Sequence, residues 1–501
     1  MQAQIHTVAF RGIETIDVTV QIHLGNGLPA MTIVGLADKA VAESRERVRA
    51  ALSSLGLALP PKRIAINLAP ADVVKEGAHF DLPIAAGLMV AMGALPQDAL
   101  DNLLVLGELG LDGAVQSVDG VLSAALAAVA AGRDLLCPAA CGSEVAWASD
   151  LSIIAVPSLT AMVNHFHGRQ VLAAPRPHLG SSDITYPDMA DLKGQDSARR
   201  VLEIAAVGGH NLLMIGPPGA GKSMLASRLA GLLPALTPAE ALDVTMLHSV
   251  AGQLPGGGLV QTRPFRTPHH SASMAALVGG GICARPGEIS LAHHGVLFLD
   301  ELAEFARPAL DSLRQPLETG EVVVARANHH VTYPARFQLV AAMNPCRCGY
   351  LGDPVRACSR APACAKSYTG RISGPMLDRF DLVIDVPELP AHMLLDKRPA
   401  ETILTVAARV RQARDFGRGR HAVPGSNNAR LSPDEFEHAM VLSDEARHLL
   451  ATALDRARLS ARGYHKVLRV ARTIADMAAS DIITRPALAE ALAYRAMPLL
   501  A

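Results

Sequence analysis

Apolar and polar positions form two kinds of pattern in the first 170 residues. Short runs with alternating or continuous apolar residues predict β-strands, and they comprise VTVQIHL (18–24), RIAINLA (63–69) and LLVLGEL (103–109). Alanine-rich segments with helical periodicity predict helices, and they comprise KAVAESRERVRAALSSL (39–55) and VLSAALAAVAA (121–131). We therefore expect residues 1–170 to form an α+β domain with its own core.

The rest of the chain divides into three further parts. Residues 171–190 are rich in proline, glycine and serine and show no periodicity, which predicts a linker. Residues 191–390 carry apolar strand patterns at NLLMIG (211–216), GVLFLD (295–300) and FQLVAAMN (337–344), which predict a second α/β domain. Residues 391–501 are helical in pattern to the end, and we expect a small all-α domain there.

Composition excludes several classes of protein. Of the 501 residues, 50% are hydrophobic and 19% are charged, which is typical of a globular protein with real cores. The formal net charge of -1 excludes a generally basic nucleic-acid coat protein, so any DNA contact must come from local basic patches. Aromatic residues make up only 3%, which argues against a platform of rings that stack on bases.

The predicted location is the cytoplasm, with no membrane contact. The longest uncharged apolar run, residues 82–95, is shorter than the roughly 20 residues that a bilayer span needs. The N-terminus lacks a basic cluster followed by an apolar segment, so we expect no signal peptide. Seven cysteines, four of them between positions 346 and 364, suit a reducing compartment and a metal site better than a disulfide framework.

The strongest chemical signal is a glycine-rich loop between an apolar strand pattern and a helical pattern. The loop consists of Gly216, Pro217, Pro218, Gly219, Ala220, Gly221, Lys222 and Ser223. Glycines let backbone N–H groups surround a phosphate, and the following helix presents its positive dipole end. In such a loop the lysine reaches the β- and γ-phosphates and the serine binds Mg²⁺, so the loop predicts an ATP site with Mg²⁺.

Four further polar residues complete a site for ATP hydrolysis. The apolar run 295–299 ends in Asp300 and Glu301, about 80 residues after the loop; Asp300 would hold Mg²⁺ and Glu301 would activate the attacking water. Asn344 ends another apolar strand and is able to polarise the same water. Arg379 precedes a third strand, where its guanidinium suits phosphoryl charge; the alternative is a surface salt bridge within residues 378–381.

These motifs, in this order, resemble an AAA+ ATPase of the helix-2-insert group. More narrowly, the chain resembles the magnesium-chelatase-like ComM/YifB family through FRTPHHSAS (265–273), GEISLAHHGVLFLDE (287–301), PARFQLVAAMNPCRCG (334–349) and RISGPMLDRFDL (371–382). The resemblance covers essentially the whole chain. It implies an α/β AAA+ core that contains a helix-2 insert and a hairpin before the sensor 1 strand, followed by a helical lid.

The resemblance also assigns roles. It implies Asn344 as sensor 1 and Arg379 as an arginine finger acting on the neighbouring subunit. Arg462 is similar in context to the sensor 2 arginine, with Arg469 and Arg472 on the same helix as alternatives. The family implies a homohexameric ring that moves along single-stranded or branched DNA without strong sequence preference. Its expected role is branch migration during homologous recombination in natural transformation, with recombination proteins as partners.

The N-terminal region resembles the S5/Lon-protease-like fold through VKEGAHFDLPIAAGL (74–88) and GELGLDGAVQSVDGVLSAALAA (107–128). In the protease, a serine nucleophile and a lysine base occupy these two segments. Here His79 stands at the place of the serine and Leu122 at that of the lysine. Because a Ser/Lys dyad needs both partners, we expect no peptidase activity.

Four cysteines form a possible metal clip. Cys346, Cys348, Cys358 and Cys364 offer four thiolates within 19 residues, a set that suits a structural Zn²⁺. The later cysteines sit differently from those of family members, and the C-x5-C spacing is wide. The alternative is that these are free thiols on a surface loop. The pair Cys137 and Cys141 has no further ligands nearby in sequence.

DNA contacts are predicted in two places: between the glycine-rich loop and the Asp300–Glu301 motif, and after that motif. Arg266 lies where the group inserts extra structure, and residues 321–336 predict a β-hairpin with Arg326, His329 and His330 near its tip. Repetition of a few cations around a ring gives a strong, salt-dependent phosphate site. The alternative for these residues, and for the His269–His270 pair, is a structural role. The basic run 409–420 is interpreted as a solvated helix face and subunit contact.

Two other functions compete with the DNA motor. A magnesium-chelatase motor subunit would use the same ATPase core to drive metal insertion into a porphyrin, although it lacks the long N-terminal domain and the cysteine loop. An ATP-gated scaffold would need no turnover, and the presence of Glu301 and Arg379 favours turnover instead.

Overall fold

The computed structural model describes most of the chain. The described residues are 2–96, 98–148, 150–178, 186–254, 258–281, 284–326, 329–351, 355–390, 393, 401–421, 426–457 and 460–495. In these ranges no helix is both long and apolar enough to cross a bilayer.

The N-terminal part is a mixed seven-stranded sheet with helices packed on it. Its strands are β1 Gln2–Arg11, β2 Glu14–Gly25, β3 Ala30–Val34, β4 Arg63–Ala69, β5 Leu103–Val105, β8 Asp134–Pro138 and β9 Ile153–Val156, with β6 Glu108–Leu109 and β7 Val115–Gln116 as a separate pair. Its helices are α1 Lys39–Ser54, α2 Asp81–Ala91, α3 Val121–Ala130, α4 Gly142–Val145 and α5 Leu159–Phe166. The strand order β3-β4-β2-β1-β5-β8-β9 combines antiparallel and parallel pairs, which confirms the expected α+β class.

The central part is built on a five-stranded parallel sheet. Its strands are β10 Leu212–Ile215, β11 Phe265–Arg266, β14 Val296–Leu299, β17 Gln338–Met343 and β18 Leu382–Asp385, in the order β11-β14-β17-β10-β18. Its helices are α6 Asp196–Gly208, α7 Lys222–Leu232, α8 Pro238–Val250, α9 Met274–Val278, α10 Glu288–Leu291, α11 Arg307–Ser312, α12 Arg314–Thr319, α13 Ala363–Thr369 and α14 Gly374–Leu377. The predicted strands at 211–216, 295–300 and 337–344 are confirmed as β10, β14 and β17. Because all five strands are parallel, their carboxyl ends lie at one edge of the sheet.

Two short antiparallel pairs interrupt this part. One is β12 Gly279–Gly280 with β13 Arg285–Pro286. The other is the predicted hairpin, in which β15 Glu321–Arg326 pairs with β16 His329–Pro334. One hairpin face is buried in the core, through Val322, Val324, Val331 and Tyr333.

The C-terminal part is helical, as predicted. It comprises α15 Ile403–Gly417, α16 Pro433–Ala439, α17 Asp444–Ala457, α18 Ala461–Met477 and α19 Arg485–Ala493. The apolar faces of α15, α18 and α19 join one hydrophobic core with α6, α7 and one face of the parallel sheet. This helical region therefore shares a core with the ATPase sheet and is buried against it.

The N-terminal part contacts α8, the segment between α8 and β14, and the hairpin. The Gly120 N–H donates to the Ser249 hydroxyl at 3.1 Å, and Arg285 pairs with Asp119 at 3.1 Å. At the β1–β2 turn, a Cβ on Gly12 would lie 2.4 Å from Val331, so only glycine allows the turn to approach the hairpin so closely.

Candidate nucleotide site

The glycine-rich loop leaves β10 at the carboxyl edge of the sheet and enters α7 directly. The Gly216 N–H donates to the Met343 carbonyl of β17 at 3.2 Å, which fixes the start of the loop. Gly219 and Gly221 have φ of +78° and +87°, a conformation that favours glycine. The N-terminus of α7 therefore faces the space enclosed by the loop, where a phosphate would bind.

Lys222 is fixed by hydrogen bonds at the base of this loop. Its Nζ donates to the carbonyls of Gly216 at 2.7 Å and Pro217 at 2.8 Å, and to Asn344 Oδ1 at 3.2 Å. Burial lowers the pKa of Lys222, and the nearby Asp300 opposes this shift. The predicted phosphate-binding lysine and the predicted sensor 1 residue are thus brought into direct contact.

Ser223 and Asp300 meet across the same edge. The Ser223 hydroxyl donates to Asp300 Oδ2 at 2.6 Å, and Asp300 Oδ1 accepts from the Glu301 N–H at 2.9 Å. A hydroxyl and a carboxylate this close supply oxygen ligands of the kind that Mg²⁺ prefers. The donor set therefore fits the predicted Mg²⁺ site.

Glu301 turns away from the strand direction in a left-handed conformation, with φ of +53°. Its Oε2 lies 3.1 Å from Nδ1 of His270, which follows β11. The sequence motifs did not predict this contact between His270 and Glu301, because the two residues are 31 positions apart and the parallel β11–β14 pairing brings them together. The adjacent His269 has a local partner instead, the Ser271 hydroxyl at 2.7 Å.

Arg379 lies at the opposite, amino edge of the sheet. It precedes β18, and its carbonyl accepts from Asn211, which precedes β10. Its guanidinium hydrogen-bonds Glu318 of α12. The alternative interpretation expected a salt bridge within residues 378–381, but the partner of Arg379 is Glu318.

The first sensor 2 candidate, Arg462, lies beside Arg379 and is largely exposed. Its guanidinium is 3.9 Å from Glu318 and 3.8 Å from Asp378. The two alternative arginines are hydrogen-bonded within the chain. Arg469 donates to the carbonyls of Ala429 and Leu431. Arg472 is fully buried and hydrogen-bonds the Asp476 carboxylate and the carbonyls of Ser480 and Asp481. Their contacts are structural, and Arg462 alone among the three presents an exposed guanidinium.

Comparisons with known proteins agree with these motifs. Family models match residues 20–141 (subunit ChlI of Mg-chelatase), 188–394 (magnesium chelatase, subunit ChlI) and 400–495 (magnesium chelatase, subunit ChlI C-terminal). The competence protein ComM of Haemophilus influenzae is 44% identical over 99% of this chain and 97% of its own length. The protein YifB of Escherichia coli, which is uncharacterised, is 44% identical over 98% of this chain and 97% of its own length.

This chain belongs to the magnesium-chelatase-like ComM/YifB family. A more distant relative, the magnesium-chelatase 67 kDa subunit of Chlorobaculum parvum, is 24% identical over 53% of this chain and 36% of its own length. Membership of this AAA+ family implies ATP and Mg²⁺ as ligands and an ATPase activity.

The cysteine cluster directly follows β17 and Asn344. The thiol sulfurs of Cys346, Cys348 and Cys364 lie within 4.8 Å of one another, and Cys346 and Cys348 are 3.1 Å apart. Cys358 lies beside Cys348 and Cys364, but it is not one of this group of three. Hydrogen bonds, first from Tyr350 and then from Cys346, lower the pKa of Cys348 to about 6. Three of the four predicted thiols are therefore brought together, and Cys358 lies beside them; thiolates of this kind are the ligands of a structural zinc ion.

A second group of potential ligands does not fit a metal. Asp243, His293 and His294 also lie within 4.8 Å of one another. His293 Nδ1 accepts from the Arg336 N–H at 2.9 Å, and burial lowers the pKa of His293 to about 2. The neutral ring therefore carries its proton on Nε2, so neither nitrogen offers a free lone pair.

The predicted DNA contacts have different surroundings. Arg266 makes two 2.6 Å hydrogen bonds to Glu288, so its guanidinium already has an intramolecular partner. His330 is exposed on β16, whereas the side chains of Arg326 and His329 lie outside the described residues. DNA contact by these four residues stays a prediction.

The basic run on and after α15 is largely engaged within the chain. Arg409 pairs with Glu203 at 2.8 Å and Glu401 at 2.6 Å, and Arg420 pairs with Asp476. Arg414 donates to the Ala206 carbonyl, and burial lowers the pKa of Arg414 to about 10. Arg411 and Arg418 are exposed. These contacts favour a structural helix face over a groove for DNA.

In the N-terminal part, the residues at the protease-like positions serve packing. His79 is buried and its Nε2 lies 2.9 Å from the Val8 carbonyl; burial lowers the pKa of His79 to about 4. Leu122 is fully buried. The lack of peptidase activity stays a prediction.

Proposed function

We propose that this chain is the subunit of a homohexameric, ATP-driven DNA translocase. The ring promotes branch migration during homologous recombination in natural transformation, in the cytoplasm and together with recombination proteins. The observation that carries this proposal is the split ATPase machinery: the phosphate loop lies at one edge of the parallel sheet and Arg379 at the other. The relative in Haemophilus influenzae is named a competence protein, which supports the biological context.

The residues at the carboxyl edge bind ATP and activate water. The γ-phosphate takes the place of the loop carbonyls as partner of Lys222, while Asn344 keeps contact with the lysine. Ser223 and Asp300 would hold Mg²⁺, which would neutralise phosphate charge. Glu301 orients and deprotonates the attacking water, and His270 fixes the carboxylate in place.

Arg379 acts on the ATP of a neighbouring copy. Four residues of β18 at about 3.3 Å each separate it from its own phosphate loop, which is beyond the reach of one side chain. Arg462 lies beside Arg379, so it also faces the neighbour's ATP. Hydrolysis at the seam between two copies therefore requires the ring.

The hairpin β15–β16 contacts DNA phosphates. Its tip carries Arg326, His329 and His330, and a ring repeats these cations around its axis. Such repetition gives salt-dependent, sequence-independent binding, which agrees with a chain whose net charge is only -1. Arg266 has its own partner in Glu288 and would contact DNA only by exchanging it.

The cysteine loop would hold a structural zinc ion. We assign as its ligands Cys346, Cys348 and Cys364, whose sulfurs lie together, and Cys358 beside them. The ion would have a structural role and would fix the segment directly after Asn344. Gly349 in this loop packs against Pro218 of the phosphate loop, where a Cβ would lie 2.5 Å from the proline ring. The zinc loop therefore supports both Asn344 and the phosphate loop.

The second candidate is a magnesium-chelatase motor subunit, which the family models for that enzyme favour. The relative from Chlorobaculum parvum aligns with only about half of this chain and about a third of its own length, whereas the competence protein aligns over nearly the full length of both. Porphyrin-dependent ATPase activity with a partner protein, in the absence of any DNA effect, would support this function.

A fork-unwinding and strand-exchange assay with ATP tests the proposal. We expect the assembled wild-type protein to unwind forked DNA, and we expect DNA to stimulate its ATPase activity. Lys222→Ala should abolish unwinding because the phosphates lose their lysine. The control is Glu437→Gln, which changes an exposed charge on α16 far from the motifs in sequence. An assembled ring whose ATPase ignores DNA and that unwinds nothing would contradict the DNA function.

A further inference from the structure

Glu318 stands between the two arginines that face the neighbouring copy. It lies in the last turn of α12, and its Oε1 accepts a hydrogen bond from Arg379 and lies 3.9 Å from Arg462. In the described part of the chain, Glu318 is the acceptor for the Arg379 guanidinium, whose buried Nε has none. The orientation of the finger side chain thus depends on this carboxylate.

The backbone of the finger loop is fixed by the C-terminal helices. Lys466 of α18 donates to the carbonyls of Asp378 and Phe380, the two residues that flank Arg379. Arg495 donates to the Phe380 carbonyl at 2.9 Å and to Asp378 Oδ1 at 2.8 Å. With the backbone held in this way, the remaining freedom of the finger lies in its side chain.

The exposure of the three groups indicates which way they face. The Arg379 side chain is 12% exposed, whereas Glu318 is 53% and Arg462 65% exposed. The stem of the finger is therefore covered, and the carboxylate and the second guanidinium lie at the surface where a neighbouring copy would arrive. Two guanidiniums this close repel each other, and a carboxylate between them offsets that repulsion.

We propose that Glu318 is a positioning residue that holds Arg379 and Arg462 together as a paired-guanidinium receptor for the γ-phosphate bound by the neighbouring copy. This inference rests on the proposed trans action of Arg379. An arginine side chain has many rotamers, so holding it in one of them before the transition state forms removes part of the entropic cost of organising it then. Glu318 acts through the arginines and does not touch the substrate.

The direct test is a kinetic comparison of Glu318→Ala, Glu318→Gln and Glu318→Asp. In the assembled ring we expect Glu318→Ala to lower kcat about tenfold while the KM for ATP stays within about twofold, because ATP is bound mainly by the other copy. Glu318→Gln should lose nearly as much, since it keeps an oxygen but loses the charge. Glu318→Asp should retain an intermediate rate. The matched control, Glu437→Gln on α16, should behave as wild type.

Mixed rings separate positioning from folding. Glu318→Ala chains keep an intact ATP site, and Glu301→Gln chains keep an intact finger, so mixing them should restore turnover above that of either variant alone. A structural defect of the Glu318→Ala chain would leave the mixture inactive, and that result would overturn the inference. Unchanged turnover by Glu318→Ala would also overturn the inference, because the carboxylate would then be dispensable. Faster turnover would overturn it as well, because the carboxylate would then inhibit the arginines.

One further variant shows which proposal has failed. If Arg379→Ala keeps full turnover in the ring, the trans action of the finger is wrong and the role of Glu318 falls with it. If Arg379→Ala is inactive while Glu318→Ala is normal, the proposed function stands and only the role of Glu318 is wrong.

Discussion

The Ser223 hydroxyl donates a 2.6 Å hydrogen bond to Asp300, although the two residues follow strands that are not neighbours in the sheet. β17 lies between β10 and β14, and its last residue is followed by Asn344. Three consecutive strands of the sheet thus end at one place, where each contributes a polar side chain. Such a convergence at the carboxyl ends of parallel strands is where ligands bind in α/β sheets.

The first prediction concerns Mg²⁺. Ser223→Ala removes one of the two oxygens that the structure places together, so the remaining set should bind the ion more weakly. We expect the Mg²⁺ concentration for half-maximal ATP hydrolysis to rise about tenfold, measured by titration at fixed ATP. Met224→Ala, which changes the exposed next residue of α7, serves as the comparison. An unchanged Mg²⁺ requirement would show that the hydroxyl is not a ligand.

The second prediction concerns the catalytic carboxylate. Glu301→Gln keeps the shape of the side chain but cannot accept a proton, so the chain should bind ATP and fail to split it. We expect kcat to fall by at least about 100-fold with ATP affinity retained, measured by turnover and by equilibrium binding of labelled ATP. Wild-type turnover would mean that another group activates the water.

The third prediction concerns the residue that fixes this carboxylate. His270 Nδ1 lies 3.1 Å from Glu301 Oε2, and Glu301 is otherwise half-exposed on a turn. His270→Ala should let the carboxylate move and lower kcat about tenfold, with a smaller loss for His270→Asn. Replacing the neighbouring His269 by alanine should cost less, because its ring contacts Ser271 and not Glu301. Equal losses for both histidines would assign the effect to the loop and not to the contact.

The contrast between Glu301 and His270 shows which parts of the site could be predicted from the sequence. Lys222, Ser223, Asp300 and Glu301 belong to local motifs, in which the type and spacing of residues state the chemistry. His270 acquires its partner only through the pairing of β11 with β14, which no local pattern encodes. The ion pair of Arg379 with Glu318 has the same origin, because 61 residues separate the two along the chain.

The fold shows the same division. The strong apolar runs predicted β10, β14 and β17, and the alternation in 321–336 predicted the hairpin. The strand β1 was not predicted, although it pairs with β2 along its whole length, because its segment QAQIHTVAFR has a weaker pattern than its neighbour. The shared core between the C-terminal helices and the sheet was also not predicted. The pattern of an amphipathic helix shows that one face is buried, but it does not show which element covers that face.

The fourth prediction concerns the cysteine loop. If the four thiols hold zinc, the purified protein should contain about one zinc ion per chain, and a strong chelator should remove it with a loss of thermal stability. Cys346→Ser should lower the zinc content and weaken ATP binding, since Gly349 of this loop packs on Pro218. Metal analysis by mass spectrometry and thermal unfolding measure the two effects. Substoichiometric zinc in a protein of full stability would support free thiols instead.

The fifth prediction concerns a buried carboxyl between the N-terminal part and the ATPase core. Glu144 accepts a hydrogen bond from Ser249 of α8, and it is almost fully buried. Burial raises the pKa of Glu144 above its ordinary value, an effect that the hydrogen bond from Ser249 only partly opposes. Because the folded-state pKa is the higher one, folding favours the protonated acid. Its contribution to stability is therefore present below about pH 4.5 and is lost as the pH rises through the folded-state pKa.

Glu144→Gln removes this loss while it keeps an oxygen that accepts from Ser249. The variant should therefore have a higher Tm than the wild type at pH 8 and a smaller advantage at pH 4.5, measured by thermal unfolding at both values. Glu437→Gln, which removes an exposed charge on α16, should show no such pH-dependent difference. The same Tm difference at both pH values would mean that Glu144 does not change its protonation there, and the neutral amide would then act through packing alone.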